Sequence, residues 1–244
     1  LVTYGDVPLL SSQTLVRLVG VHEASGDAVT VLTSRVEDPT GYGRIVRAPD
    51  GSVTAIVEQR DATAEQALIT EINAGIYAFD ADFLRGALAG LGTDNDQGEV
   101  YLTDVLAAAA SSGRGAGALE LDDAWQTVGA NDRVQLAELG AEFNRRICAG
   151  HMRAGVTIID PASTWIGVDV VIGADTTIHP GTVLRGATNI ASNCEIGPSA
   201  TLIDAEVGER AVVPTAWVGG GAVAADTIVE PYSTIGTTIR APRA

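Results

Sequence analysis

Length, composition and charge set the first limits on this chain. Its 244 residues include 15 basic and 31 acidic side chains, and the resulting net charge of −16 disfavours binding to nucleic acid or to anionic membranes. Every basic residue is arginine, so a phosphate-binding loop that needs lysine cannot be completed within these residues. Because no apolar run is long enough to span a membrane and no signal peptide is recognisable, we expect a cytoplasmic protein.

The first half of the chain alternates strand-like and helix-like segments. The strand-like segments are 29–33, 43–47, 52–58 and 74–79, and the helix-like segments are 11–25, 82–89 and 102–110. This alternation predicts an α/β domain with a mainly parallel sheet, and Pro49-Asp50-Gly51 predicts one hairpin. The apolar run 1–4 predicts a buried strand, and a chain that begins inside such a strand is expected to be a fragment.

A single long helix is predicted for residues 131–153, as the connector to the second half. Five apolar residues form its predicted stripe: Val134, Leu136, Leu139, Phe143 and Ile147. Cys148 lies within this helix, and although Arg145 and Arg146 are nearby in the sequence, we expect an unreactive thiol.

The second half has a period of six residues. Large aliphatic residues occupy seven successive positions: Ile166, Ile172, Ile178, Leu184, Ile190, Ile196 and Leu202. Small residues occupy the accompanying positions Thr176, Thr182, Thr188, Cys194 and Ala200. Such a repeat predicts a triangular solenoid of about four coils, in which each side buries one aliphatic and one small residue.

Polar residues near the ends of the predicted strands are candidates for a ligand site, because open α/β sheets bind ligands there. Asp6 could hold a magnesium ion or cap the next helix, and Asn131 could cap the connector helix. Glu58 and Asn73 suit the hydroxyl and acetamido groups of a sugar, but they also suit ordinary turns. Gly43 would allow close approach of the backbone to a ligand.

The order of the motifs narrows these alternatives. YGDVPLL, GYGRI, IVEQRDA, INAGIYAF, QGEVYLTD and GANDRVQL occur in this order, followed by hexapeptide repeats. The chain thereby resembles the bacterial family of bifunctional N-acetylglucosamine-1-phosphate uridylyltransferases and glucosamine-1-phosphate acetyltransferases, in particular its actinobacterial members. The resemblance implies a partial Rossmann-like nucleotide-diphospho-sugar transferase domain over 1–130, a connector helix over 131–155, and a partial left-handed parallel β-helix over 156–244.

The resemblance also implies roles for individual residues. Asp6 and Asn131 match the protein ligands of a catalytic Mg2+. Contacts to UDP-N-acetylglucosamine are implied for Tyr4, Gly5, Asp6, Gly43, Glu58, Asn73 and Asn131. Glu99, Tyr101 and Thr103 match a motif that lines the sugar pocket. His22, His151 and His179 match none of the family's catalytic positions.

The implied reaction joins UTP and N-acetylglucosamine 1-phosphate into UDP-N-acetylglucosamine and pyrophosphate, for the synthesis of peptidoglycan and lipopolysaccharide precursors. The complete protein would also acetylate glucosamine 1-phosphate from acetyl-CoA and form a homotrimer through the β-helix. The family's phosphate-binding loop would precede Leu1 and its acetyltransferase residues lie in further coils. We therefore expect these 244 residues alone to be inactive.

Two alternatives remain at this point. One is a related sugar-1-phosphate nucleotidyltransferase that makes ADP-glucose or dTDP-glucose, which a titration of UDP-N-acetylglucosamine against ADP-glucose would distinguish. The other is an inactive β-helix fragment that only trimerises, for which light scattering gives the oligomeric state.

Overall fold

The structure is a computed structural model that describes residues 1–92 and 100–236. The chain divides into two compact units, Leu1–Leu139 and Gly140–Ala244. No helix among the described residues is long and apolar enough to cross a lipid bilayer.

The first unit contains one sheet and its helices. The elements are α1 (Ser12–Ser25), β1 (Val29–Arg35), β2 (Arg44–Arg47), β3 (Val53–Val57), β4 (Glu71–Phe79), α2 (Ala81–Leu88), α3 (Asp104–Ser111) and β5 (Ala116–Leu121). Two 3-10 turns cover Gln66–Leu68 and Ala124–Thr127. Helix α4 (Arg133–Arg153) begins in this unit and ends in the second.

The five described strands are arranged in the order β3-β2-β4-β1-β5, and the sheet is mixed. Only β1 and β5 are parallel, whereas β1 with β4, β2 with β3, and β2 with β4 are antiparallel. The prediction of a mainly parallel sheet is therefore wrong for these strands. Parallel neighbours need a long crossover, but among the described residues between β1 and β5 α-helices occur only in the connection from β4 to β5. The hairpin at Pro49-Asp50-Gly51 joins β2 and β3 as predicted.

Helices cover both faces of this sheet. Leu18 of α1 packs with Leu32 and Ile76 on one face, and Leu106 of α3 packs with Tyr77 on the other. Successive residues of β4 thus point to opposite sides, as the pleat of a strand requires. Strand β5 was not predicted, because its sequence AGALEL has little of the β-branched and aromatic character typical of strands.

Strand β4 contains a bulge beside its pairing with β1. Val31 pairs with Tyr77 and Thr33 pairs with Asn73, so β4 uses two more residues than β1 over this interval. Gly75 lies inside the bulge with a φ of 70°, which favours glycine. Bulges redirect side chains and are common beside active sites.

The opening run 1–4 is not the buried strand that its apolar residues predict. Val2 alone pairs with Tyr77, through two backbone hydrogen bonds of 2.9 Å. Leu1 is 62% exposed and Tyr4 is 51% exposed. After Val2 the run leaves the sheet, and the Tyr4 ring packs against Gly75 in the β4 bulge.

The second unit contains the end of α4 and a parallel β-helix. The strands of the β-helix are β6 (Thr157–Ile158), β7 (Trp165–Ile166), β8 (Val171–Ile172), β9 (Thr177–Ile178), β10 (Val183–Arg185), β11 (Asn189–Ile190), β12 (Glu195–Ile196), β13 (Thr201–Ile203), β14 (Glu206–Val207), β15 (Val212–Val213), β16 (Trp217–Gly219), β17 (Ala222–Val223) and β18 (Thr234–Gly236). They stack into three parallel sheets with the orders β18-β16-β13-β10-β7, β17-β14-β11-β8 and β15-β12-β9-β6.

The predicted period of six is confirmed by the burial of the β-helix residues. All seven aliphatic and all five small residues named above are buried in its interior. Leu184 pairs with Ile166 and with Leu202, so each of these coils takes eighteen residues. Leu202 then pairs with Val218 and Val218 with Ile235, so the later coils are one or two residues shorter. The sequence period slips after Leu202 for this reason, while the stacking continues.

Helix α4 packs against the first coil of the β-helix through a polar and a small residue. The Asn144 side chain donates to the Thr164 carbonyl over 2.7 Å and accepts from the Ile166 amide over 3.0 Å. Cys148 is fully buried beside them, and burial raises the pKa of its thiol, consistent with an unreactive cysteine.

The predicted apolar stripe of α4 is only partly correct. Leu139 is buried and Ile147 packs against the β-helix core. Val134, Leu136 and Phe143 are exposed. The buried positions of the helix also include Cys148 and the polar Asn144, and an apolar pattern does not identify Asn144.

Candidate active site

A pocket of about 160 Å³ lies in the first unit, at the end of the sheet where β4 begins. It is lined by Tyr4, Asp6, Val7, Gly41, Tyr42, Asn73, Ala74, Thr127, Gly129 and Asn131. Four of the residues singled out from the sequence, Tyr4, Asp6, Asn73 and Asn131, therefore meet at one pocket although they are distant in the chain.

Asp6 lies in the loop before α1 and does not cap that helix. The cap is Ser11, whose Oγ accepts from the Thr14 amide over 3.1 Å. Asp6 is exposed, and its carboxylate forms no hydrogen bond or ion pair with another described residue. The carboxylate approaches Gly129 so closely that a Cβ there would lie 3.1 Å from Asp6 Oδ2.

Asn131 lies beside Asp6 because the two segments are joined through the backbone. The Ala130 amide donates to the Asp6 carbonyl over 3.0 Å. Asn131 does not cap α4, since Asp132 Oδ1 accepts from the amides of Val134 and Gln135, both over 2.8 Å. The Asn131 side chain is thus available to the pocket.

Asn73 presents its side chain to the pocket from β4. Its Oδ1 accepts two hydrogen bonds, from the Gly75 amide over 2.9 Å and from the Tyr77 hydroxyl over 3.0 Å. Gly75 also makes room for Tyr4, because a Cβ at this glycine would overlap the Tyr4 ring. The β4 bulge therefore positions two pocket residues at once.

Glu58 and Gly43 lie next to this group. The Asn73 backbone amide donates to the Gly43 carbonyl over 2.9 Å. A Cβ on Gly43 would lie 3.4 Å from the Glu58 carboxylate. Thr103 is buried and its hydroxyl donates to Glu58 Oε1 over 3.2 Å. The structure thus brings Gly43, Glu58, Asn73 and Thr103 together.

The electrostatic environment of the pocket is negative. Burial raises the pKa of Tyr4, and the charges of Glu58 and Asp6 raise it further. Burial likewise raises the pKa of Tyr42, although a hydrogen bond with the Gly129 backbone opposes this change. A phosphate ligand in this pocket would need a cation to offset the repulsion.

Two residues singled out from the sequence, Gly5 and Tyr101, do not line this pocket. Gly5 faces open space at its Cβ position and is not part of the lining. Tyr101 is half-buried, and its carbonyl accepts from the Asp104 amide before α3. Glu99 lies outside the described residues.

Sequence reasoning did not select six of the residues that line the pocket: Val7, Gly41, Tyr42, Ala74, Thr127 and Gly129. Tyr42 lies inside the glycine-rich GYGR motif, which is the signal that could have identified it. Thr127 has no comparable signal, and its hydroxyl lies 2.7 Å from the Ser34 hydroxyl.

None of the three histidines lines the pocket. His22 Nδ1 lies 3.0 Å from the Thr30 hydroxyl, and His179 Nε2 lies 2.9 Å from Glu195 Oε1. His151 is half-buried near the end of α4, where burial lowers its pKa. These positions agree with the surface or structural roles expected for lone histidines.

The donor set at Asp6 and Asn131 fits a hard divalent cation. One carboxylate and one amide oxygen line the same pocket, and Mg2+ commonly takes one or two protein ligands while water and substrate phosphates complete its coordination. Among the described residues, no three His, Cys, Asp or Glu side chains are grouped as a metal site. A cation here would therefore depend on the substrate for further ligands.

Comparison with known proteins gives one family match in each of the two compact units. The profile of the nucleotidyl transferase family matches residues 2–139. The profile of the bacterial transferase hexapeptide, which covers six repeats, matches residues 169–204.

Curated relatives match almost the whole chain. The bifunctional protein GlmU of Mycolicibacterium vanbaalenii is 56% identical over 95% of this chain and 47% of the relative, and that of Corynebacterium efficiens is 54% identical over 96% and 48%. The protein of the same name from Cutibacterium acnes is 52% identical over 96% of this chain and 57% of the relative. The chain thus spans about half the length of these relatives. With more than half of its residues matched by the first profile, the chain belongs to the nucleotidyl transferase family.

Proposed function

We propose that the protein containing this chain forms UDP-N-acetylglucosamine and pyrophosphate from UTP and N-acetylglucosamine 1-phosphate. The observation that carries this proposal is the meeting of Asp6, Asn73 and Asn131 at one pocket, with Glu58 and Gly43 next to Asn73. Their similarity in order and type to the bacterial uridylyltransferase family, and the identity to GlmU proteins, support it.

Each residue has a part in positioning the substrates. The Asn73 side-chain amide and the Glu58 carboxylate offer one donor group and one acceptor group to the sugar. Asp6 and Asn131 would hold Mg2+, which supplies neutralisation of phosphate charge when it is bound. The sugar phosphate attacks the α-phosphorus of UTP and pyrophosphate leaves, so catalysis depends on positioning and needs no protein nucleophile.

We extend the proposal to the second half of the chain on the basis of its hexapeptide coils. The complete protein would also transfer the acetyl group of acetyl-CoA to glucosamine 1-phosphate, and it would form a homotrimer through the β-helix. The uridylyl transfer and the acetyl transfer would both supply cell wall precursors in the cytoplasm.

The test uses the natural full-length protein that contains this chain. We expect pyrophosphate release from UTP and N-acetylglucosamine 1-phosphate to require Mg2+ and to fall at least about 100-fold in Asp6→Ala, a loss typical for removal of one electrostatic stabiliser. Asp82→Asn is the matched control, because Asp82 is an exposed aspartate of α2 whose ion pair with Arg85 lies on the surface. Equal activity of Asp6→Ala and Asp82→Asn would contradict the assigned role.

Calorimetric titration with sugar nucleotides tests the choice of substrate. We expect UDP-N-acetylglucosamine to bind more tightly than ADP-glucose or dTDP-glucose. A preference for ADP-glucose or dTDP-glucose would replace the proposed reaction with that of a related sugar-1-phosphate nucleotidyltransferase.

A further inference from the structure

Tyr77 is a buried tyrosine that the proposed reaction does not use directly. It is fully inaccessible to solvent in the core between the sheet and α3. Its hydroxyl donates to Asn73 Oδ1, four residues earlier on the same strand. A buried hydroxyl usually has a hydrogen-bond partner. Here the partner is Asn73, which lines the pocket, so Tyr77 contacts a pocket residue from the core side.

The hydrogen bonds at Asn73 determine which end of its amide faces the pocket. The Gly75 amide can only donate, so the side-chain atom 2.9 Å from it must be the oxygen. Tyr77 donates to the same oxygen. Both acceptor positions of Oδ1 are then occupied, and the orientation of the amide follows from these two hydrogen bonds.

The other end of the amide remains for a ligand. Asn73 is 8% exposed, it lines the pocket, and its Nδ2 forms no hydrogen bond with the residues that the structure describes. Tyr77 and Asn73 lie on the same face by the two-residue period of a strand, and the β4 bulge shortens the span between them to that of two residues of β1. The strand thus holds the Nδ2 group in a fixed position before any ligand binds.

We propose that Tyr77 is a positioning residue that fixes Asn73 as a hydrogen-bond donor to an oxygen acceptor of the bound sugar, either a hydroxyl or a carbonyl oxygen. The inference rests on the proposed function, since it names the partner of Asn73 in that site. Preorganised donors bind more tightly because the ligand does not have to order them.

The test measures KM and kcat of the natural full-length protein for N-acetylglucosamine 1-phosphate. Tyr77→Phe removes only the hydroxyl, and we expect KM to rise about tenfold with kcat nearly unchanged, the size expected for one net hydrogen bond. Tyr232→Phe is the control, because Tyr232 is an exposed residue of the β-helix and its variant should keep both constants.

A double-mutant cycle separates positioning from a structural contribution. If Tyr77 acts through Asn73, Tyr77→Phe should change KM less than about twofold in an Asn73→Ala background. An equal, additive rise of KM in both backgrounds would overturn the inference, because a structural contribution does not depend on the Asn73 amide. An unchanged KM in Tyr77→Phe alone would overturn it as well.

A second variant tests the donor itself. Asn73→Asp keeps an oxygen for Gly75 and Tyr77 but replaces Nδ2 with a second acceptor, so we expect a folded protein whose KM rises at least about tenfold. Wild-type KM in Asn73→Asp would overturn the donor assignment. Failure of the wild-type protein to make UDP-N-acetylglucosamine would instead overturn the proposed function and this inference together.

Discussion

The Glu58 carboxylate lies where its negative charge is unfavourable. Burial raises its pKa, the Thr103 hydrogen bond opposes this rise, and the charges of Asp61 and Asp104 add to it. A raised pKa means that the folded state binds the proton more tightly than the unfolded state. The ionised form therefore lowers the free energy of unfolding at pH values above the ordinary glutamate pKa of about 4.3, and this loss disappears as the pH falls through the raised pKa.

The affinity for the ligand should fall as the pH falls, whereas the contribution of Glu58 to the free energy of unfolding rises. If Glu58 accepts a hydrogen bond from the sugar, affinity for UDP-N-acetylglucosamine should fall as Glu58 becomes protonated. Thr103→Val removes the hydroxyl that stabilises the charge, so the midpoint of this fall should move to a higher pH. Calorimetry on the full-length protein measures it.

Thr103→Ser keeps the hydroxyl and serves as the control. Thr103 makes no side-chain cap hydrogen bond to α3, so the valine variant loses no helix cap. Identical midpoints for wild type, Thr103→Val and Thr103→Ser would contradict the role of this hydrogen bond.

The roles of Asp6 and Asn131 could be predicted only in part from the sequence. The single motifs identified Asp6 and Asn131 as polar residues beside helix starts, where capping is the more frequent role, and only the family resemblance favoured a metal site. The structure assigns the caps to Ser11 and Asp132. A choice between neighbouring polar residues depends on where the helix begins, to within one or two residues, and a sequence pattern does not define helix ends that closely.

Strand β4 is the element that organises the pocket, and Gly75 is its most constrained position. Gly75→Ala would place a Cβ against the Tyr4 ring and also hold alanine at a φ of 70°. We expect a loss of about 1–2 kcal/mol from the backbone conformation and about 1–3 kcal/mol from the overlap, measured by urea unfolding. Affinity for UDP-N-acetylglucosamine should fall too, because Tyr4 lines the pocket.

Gly26→Ala is the matched control for this variant. Gly26 ends α1 with a φ of 68°, but nothing lies within 4 Å of its Cβ position. Gly26→Ala should lose only the stability that comes from the backbone conformation, and its affinity for UDP-N-acetylglucosamine should be normal. Equal stability of the two variants would contradict the packing of Tyr4 on Gly75.

The elements differ in how well their sequences predict them. The β-helix was predicted because every coil repeats the same burial requirement at residues such as Leu184 and Ile196. The strand directions of the first unit were predicted wrongly, since the alternation of segments does not record which connections contain a helix. The β4 bulge left no signal except Gly75, because a shift in register depends on the partner strand.

At the scale of the whole molecule, exposed apolar surface and net charge have opposite effects on the association of chains. Four large apolar residues of the first β-helix coil are exposed: Ile159, Trp165, Val168 and Val171. Exposed apolar groups favour association. Each chain carries a net charge of −16, so copies that associate also repel one another.

The balance predicts that trimer formation depends on salt. Light scattering on this chain should give three times its 25.1 kDa at an ionic strength of 0.15 M, where the screening length is about 8 Å. The trimer fraction should fall at 0.01 M, where that length is about 30 Å. Val171→Glu adds a charge to the apolar surface and should favour the monomer, whereas Val134→Glu, at an exposed residue of α4, should not. A wild-type chain that stays monomeric at 0.15 M would contradict assembly through these coils.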